Sequence, residues 1–310
     1  MHAAAHTPRP GLIRDLVALT KPRITLMVLI TAGGGLWLGQ HWLHQRGLTA
    51  DVMTPLAIVA ALLGTALVVS SANALNCWME RESDKFMART KNRPLPAGRL
   101  DARTALGFGL ALGALAVPLL TLAVNPLTGL LAAIALVSYV WIYTPMKQRS
   151  PAALLVGSVP GAMPPLMGWT AATGSLEAPG IVLFGILFLW QLPHFLAIAM
   201  FRQNEYTKAG IKVMPAVRGN AKTRLHAAIY AGALVPVSLL LVPLGIAGTP
   251  YLVVAGLAGV LWAALCISGL FRDRATGAEA GNKWARAVFL TSLAYLPLLF
   301  AALAIDVAAR

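Results

Sequence analysis

Asn76, Glu80 and Asp84 stand at steps of four where a long apolar run gives way to a basic stretch. Four residues turn a helix by about 400°, so the three oxygen-bearing side chains would line one stripe about 12 Å long. Two carboxylates and an amide oxygen suit Mg²⁺, a hard cation that keeps some waters and shares its other positions with phosphate. Just downstream, Lys85-Phe86-Met87-Ala88-Arg89-Thr90-Lys91-Asn92-Arg93-Pro94 supplies cations to balance phosphate charge, among them Arg89, Lys91 and Arg93. A solvated helix end would explain the charges by pairing the acids with Arg81, Lys85 and Arg89. It would not explain Asn76, a polar group inside the apolar run, where such groups are costly and usually functional. The stripe and its cationic neighbour predict a lipid-diphosphate site, and hence an enzyme, with Asn76, Glu80 and Asp84 as metal ligands.

Two further groups fit the same chemistry. Gln191, His194, Arg202 and Glu205 fall on one helical face by heptad-like spacing, with Pro193 able to kink the register. Glu205 is then a second-loop carboxylate for metal or diphosphate, while Gln191, His194 and Arg202, with nearby Tyr206 and Lys212, would contact substrate. The His194 imidazole is expected to position an acceptor rather than the diphosphate. Tyr143 and Lys147, four apart, present a phenol and an ammonium on one face. An interfacial anchor pair would look the same, but beside two acidic loops the lysine reads as a phosphate grip. Ionising an allylic diphosphate needs electrostatic stabilisation of the leaving group and exclusion of water from the cation left behind. Aromatic faces such as Trp78, Tyr143 and Trp190 would shield that cation.

These residues must be held by membrane helices. The chain of 310 residues is 58% hydrophobic and 12% charged, with mean hydropathy +0.71. That excludes an ordinary soluble domain and predicts an all-α polytopic membrane protein. Apolar runs of roughly 17–22 residues predict nine transmembrane helices around a central, cytoplasm-facing cavity, at 24–41, 53–78, 104–122, 127–144, 153–171, 180–201, 226–245, 251–270 and 287–306. The fifth run is rich in Gly and Pro. One domain, 1–310, is expected, with 1–20 as a cytoplasmic arm. With these spans, only Arg46 and Arg310 among the 25 lysines and arginines fall on one side. By the positive-inside rule the other side is cytoplasmic, with the N-terminus inside and the C-terminus outside. The net charge of +14 then reflects topology and anionic lipid or substrate rather than nucleic acid. No cleavable signal peptide is evident. Cys77 and Cys266 have no paired spacing and read as structural thiols.

Asn-x-x-x-Glu-x-x-x-Asp, followed by Met87-Ala88-Arg89-Thr90 and Arg93-Pro94-Leu95, resembles the first acidic motif of the UbiA-type intramembrane prenyltransferases. Thr20-Lys21-Pro22-Arg23 and Tyr143-Thr144-Pro145-Met146-Lys147 support this, and the resemblance runs from about Leu19 to Leu299. Gly161-Ala162-Met163-Pro164-Pro165 and Trp190-Gln191-Leu192-Pro193-His194 resemble the branch whose acceptor is haem. The resemblance implies nine helices around a cavity, Mg²⁺, and a bacterial inner membrane. It implies farnesyl transfer from farnesyl diphosphate to a vinyl group of haem b, giving haem O for haem-copper oxidases. A haem A synthase or an oxidase assembly protein would be the protein partner. The family's second motif is usually Asp-rich, whereas here it offers Glu205 and Tyr206. The alternatives are a prenyltransferase with an aromatic quinone-precursor acceptor and, more distantly, a haem carrier or transporter. A transporter would place polar or broken-helix residues at mid-bilayer, whereas these charges gather at one face.

Overall fold

Thr54, Asp101 and Asn125 each accept a backbone N–H at the head of a helix, so three of the long helices begin where a side-chain cap stands. The structure, a computed structural model, describes residues 11–48, 53–271 and 277–310, with side chains from 281 in the last stretch. Arg9 of the expected arm, and Arg272 and Arg274, lie outside the described residues.

The described residues are helical, with no strand. A short α1 (Leu12–Thr20) precedes α2 (Pro22–Gln45), α3 (Pro55–Met79) and α4 (Ala102–Ala123). Then α5 (Pro126–Val137) runs through a π-helical segment, Ser138–Tyr143, into the single turn α6 (Thr144–Met146). The rest is α7 (Ala153–Thr173), α8 (Ala178–Phe201), the short α9 (Gln203–Lys208), α10 (Met214–Leu239), α11 (Thr249–Ser268) and α12 (Gly277–Ala308). Seven of the described helices are long and apolar enough to cross a membrane. The fifth and seventh expected spans fall on α7 and α10, which miss that mark. Pro160, Pro164 and Pro165 interrupt the apolar run of α7. The first half of α10 carries Arg218, Lys222 and Arg224 and breaks at Gly219, whose φ is 81°. That helix therefore starts twelve residues before the expected span at 226 and ends at Leu239.

Two buried cores flank α7. One joins α3, α4, α5 and α7 through Val68, Leu120, Leu131 and Leu166. The other joins α7, α8, α10, α11 and α12 through Trp169, Leu183, Leu234, Trp262 and Leu299. Helices in lipid gain little from burying apolar surface against one another and instead associate through close packing at small residues. Here α2 and α7 meet at Gly35 and Gly168. A Cβ on Gly35 would collide with the Pro165 backbone, and one on Gly168 with the Ala32 carbonyl. Cys77 and Cys266 are buried free thiols within this packing.

Candidate active site

The stripe of Asn76, Glu80 and Asp84 is not one continuous helix. Helix α3 ends at Met79, Glu80 is its C-cap, and Asp84 sits in a 3₁₀ turn, Ser83–Phe86. The register survives because Glu80 N–H donates to the Asn76 carbonyl (2.9 Å) and Asp84 N–H to the Glu80 carbonyl (2.8 Å). All three side chains therefore line one cavity of about 480 Å³.

Each is gripped by a cation from a different part of the chain. Lys147 Nζ lies 2.8 Å from Glu80 Oε1, and Arg93 Nη1 lies 2.7 Å from Asp84 Oδ2. Lys21 Nζ donates to Asn76 Oδ1 at 3.2 Å, and Asn76 Nδ2 donates to Thr144 Oγ1 at 3.3 Å, which fixes the amide oxygen toward the cations. Lys147 Nζ also sits 4.4 Å from the centroid of the Tyr143 ring, the predicted phenol–ammonium pair. Burial works against the Lys147 charge, but its Tyr143 and Glu80 neighbours outweigh it and raise the ammonium above the ordinary lysine value. Burial pushes Lys21 the other way, and the charges of Arg93 and Lys147 add to it. Asp84 is fully buried, and its Oδ1 has no protein partner.

The π-helical segment widens the helix by one residue where Tyr139 and Tyr143 reach the cavity, their rings 5.3 Å apart. Thr144 Oγ1 donates to the Tyr139 carbonyl at 2.8 Å, tying off the widened turn. Opposite, Gly157 and Gly161 of α7 leave room for the Tyr143 ring and the Gln191 amide, which a Cβ at either position would strike. Gln191 Nε2 donates to the Leu187 carbonyl at 3.0 Å. Arg89 Nη2 donates to Tyr206 Oη at 3.0 Å, joining the α3–α4 connection to α9 across the mouth. The Lys212 N–H donates to the Lys147 carbonyl at 2.8 Å, which fastens a third connection there.

Of the residues expected from sequence, the cavity gathers Asn76, Glu80, Asp84, Arg89, Arg93, Tyr143, Lys147, Gln191, Tyr206 and Lys212. Four are not on its wall. Lys91 is exposed. Arg202 and Glu205 pair with each other at 2.8 Å, leaving a buried Glu205 Oε2 without a partner. His194 faces α12. Its Nδ1 lies 2.7 Å from Ser292 Oγ, and its ring stacks on Trp190 at 4.8 Å and meets Phe289 at 5.0 Å. The expected common face is not seen because Ser292 and Phe289 of α12 engage His194, whereas Gln191 bonds to its own helix and lines the cavity. In addition, α8 stops at Phe201, so Arg202 and Glu205 belong to a new direction of chain. Nor do all the expected aromatics face the cavity: Trp190 donates to the Ser292 carbonyl and Trp78 lies under Arg81, while Tyr139 and Phe195 line the wall. Lys21, which the sequence offered only within the family-like Thr20-Lys21-Pro22-Arg23 and without a site role, also lines the cavity. Only the fold carries that lysine to Asn76.

Among the described residues no three His, Cys, Asp or Glu side chains gather around one point. A cation at this stripe would take Glu80, Asp84 and the Asn76 amide, and complete its shell with water and phosphate, which is the habit of Mg²⁺. The orphaned Asp84 Oδ1 is an acceptor available for it.

The class is that of an all-helical membrane protein whose carboxylates and cations line one pocket. Residues 26–293 match the UbiA prenyltransferase family, and the chain belongs to it. It is a multi-pass membrane protein. It is 50% identical over 301 residues to the protoheme IX farnesyltransferase of Anaeromyxobacter dehalogenans, covering 97% of this chain and 96% of that one. The protein of the same name from Myxococcus xanthus is 49% identical, covering 96% of each chain. In fold it resembles digeranylgeranylglyceryl phosphate synthase, with TM-score 0.80, 17% identity, and coverage of 96% of this chain and 99% of that one. It also resembles a UbiA homolog from Archaeoglobus fulgidus bound to GPP and Mg²⁺, with TM-score 0.63, 17% identity, and coverage of 94% and 99%.

Proposed function

We propose that the protein transfers a farnesyl group from farnesyl diphosphate to a vinyl group of haem b, forming haem O and releasing diphosphate. The C1–O bond of the farnesyl group breaks and C1 bonds to the outer vinyl carbon. Water adds its hydroxyl to the inner carbon, and one proton is released. The observation that carries the reading is one cavity with a charged pole and apolar walls, in a chain about half identical along its length to proteins named for this activity. The acceptor comes from that likeness, and the donor chemistry from the pole.

In this reading Asn76, Glu80 and Asp84 would hold Mg²⁺, and Glu205, whose unpaired oxygen lies off the cavity wall, would join them through water. Bound there, the metal supplies positive charge to the departing diphosphate. Lys147, Arg93, Arg89 and Lys212 add cationic or N–H donors around the same oxygens, strengthened by the low dielectric of the bundle. The Tyr139 and Tyr143 ring faces stabilise the allylic cation, and the apolar walls keep bulk water from it until the vinyl group attacks. Gln191, fixed by its backbone bonds, presents its amide to the acceptor.

Nine crossings complete this reading, with α7 and α10 spanning among more apolar neighbours and the charged pole at the cytoplasmic end of a bacterial inner membrane. A haem A synthase or oxidase assembly partner would take the product. The test is direct: membranes containing the protein, haem b, farnesyl diphosphate and Mg²⁺, with pigments analysed by mass. A haem gaining one farnesyl group and one hydroxyl supports the proposal. Unmodified haem, with prenyl transfer to an aromatic quinone precursor instead, overturns it.

A further inference from the structure

Helix α1 is apolar on two sides. Its inner side packs Leu16 and Leu19 against Ala74 and Cys77 of α3 and Ala105 of α4. Its outer side leaves Leu12, Ile13 and Val17 exposed by 59%, 78% and 50%, an area that none of the described residues covers. Beyond the turn, Ile24, Met27 and Ile30 of α2, one of the membrane-spanning helices, are likewise exposed. Arg14, also exposed, adjoins Ile13, and Arg23 follows at the head of α2. Between the two helices Lys21 is left-handed, with φ 50°, and Pro22 starts α2, so the chain turns rather than running on.

We propose that α1 is an interfacial helix that lies on the leaflet α2 enters and seats the α3–α4 connection. Its outer stripe beds into the acyl edge, and Arg14 meets lipid phosphate. The composition is that of such helices: a hydrophobic face beside a cation, on a segment far too short to span. The occupant is lipid rather than another protein because these exposed apolar side chains stand directly before a membrane-spanning helix whose first turns expose Ile24 and Met27 in the same way.

The inner side carries the consequence. Asp15, buried, accepts from Arg99 Nε and Nη2, each at 3.3 Å, and Arg99 Nη1 donates to the Asn92 carbonyl at 3.1 Å. Asn92 adjoins Arg93, the partner of Asp84. At its other end, the α1 carbonyl of Thr20 accepts from Asn73 at 3.2 Å. The stretch carrying the charged pole is thus tied to a helix whose own footing is the lipid surface.

The test uses the full chain in vesicles of phosphatidylcholine and phosphatidylglycerol, with a spin label on Val17→Cys; Cys77 and Cys266 are buried. The label is expected to relax more with oxygen, which partitions into lipid, than with a water-soluble nickel chelate. Greater relaxation by the chelate, or shielding from both, overturns the proposal, the latter by placing a protein surface over α1. For the coupling, Val17→Asp in the same vesicles is expected to speed amide exchange across 89–99 several-fold, whereas Val17→Leu leaves it unchanged. Exchange equal to that of the unmodified protein in Val17→Asp overturns the coupling. Neither readout depends on the acceptor or on transfer activity.

Discussion

At the residue scale, each of the three oxygen-bearing side chains Asn76, Glu80 and Asp84 has its own cation. Asp84 is the most committed member: it is fully buried, held by Arg93 on one oxygen and without a protein partner on the other. Asp84→Asn keeps the shape and removes the charge, so transfer is expected to fall by about 100-fold or more, read from initial rates of pigment formation. A rate within twofold of the unmodified protein would remove Asp84 from the reacting end. His194 belongs to a different argument. Bonded to Ser292 and stacked on Trp190, it serves the α8–α12 contact. His194→Ala should cost about 1–3 kcal/mol of stability, seen in thermal unfolding. The absorption bands of bound haem should not move. Shifted bands would restore the imidazole as an iron ligand.

At the element scale, α7 is the helix on which the cavity depends, and its glycines show why. Gly168 lets α2 approach to backbone contact, while Gly157 and Gly161 give room to Tyr143 and Gln191. Gly168→Ala must push two backbones apart, an overpacking cost of about 1–3 kcal/mol that should lower the unfolding temperature. Gly256→Ala, where a Cβ meets nothing within 4 Å, is the control and should leave it unchanged. Gly161→Ala should act differently, displacing the Gln191 side chain and impairing acceptor use more than folding. Equal unfolding temperatures for Gly168→Ala and Gly256→Ala would show that α2 and α7 can separate freely.

At the scale of the whole molecule, the three connections that carry the pole converge at one end of the bundle, joined by Arg89 to Tyr206 and by Lys212 to Lys147. If that end is cytoplasmic, cysteines at Lys91 and Lys208 should react with an impermeant thiol reagent only from the cytoplasmic side. Cysteines at Arg46 and Leu176 should react only from the opposite side. Labelling of Lys91→Cys from outside would invert the arrangement. Removing divalent cations with a chelator should stop transfer, and Mg²⁺ should restore it. Transfer that persists in chelated membranes would leave Lys147, Arg93 and their neighbours as the whole leaving-group stabilisation.

The sequence by itself determined the helical class, seven of the nine expected spans and the first acidic stripe, because each rests on local rules. Apolar length marks a span, and a spacing of four marks a shared face. Those rules reached Asn76, Glu80, Asp84, Tyr143 and Lys147, which lie within one or two turns of their neighbours in the chain. Tertiary structure alone decided the rest. It carried Lys21 to Asn76, 55 residues away, and turned His194 toward α12 although Gln191, three residues earlier, faces the cavity. It also stopped α8 at Phe201, so that Arg202 and Glu205 left the face their spacing predicted. The direction a side chain takes from a buried helix depends on which neighbour packs against each side. Where a helix is apolar nearly all round, as α8 is, periodicity carries no record of that choice.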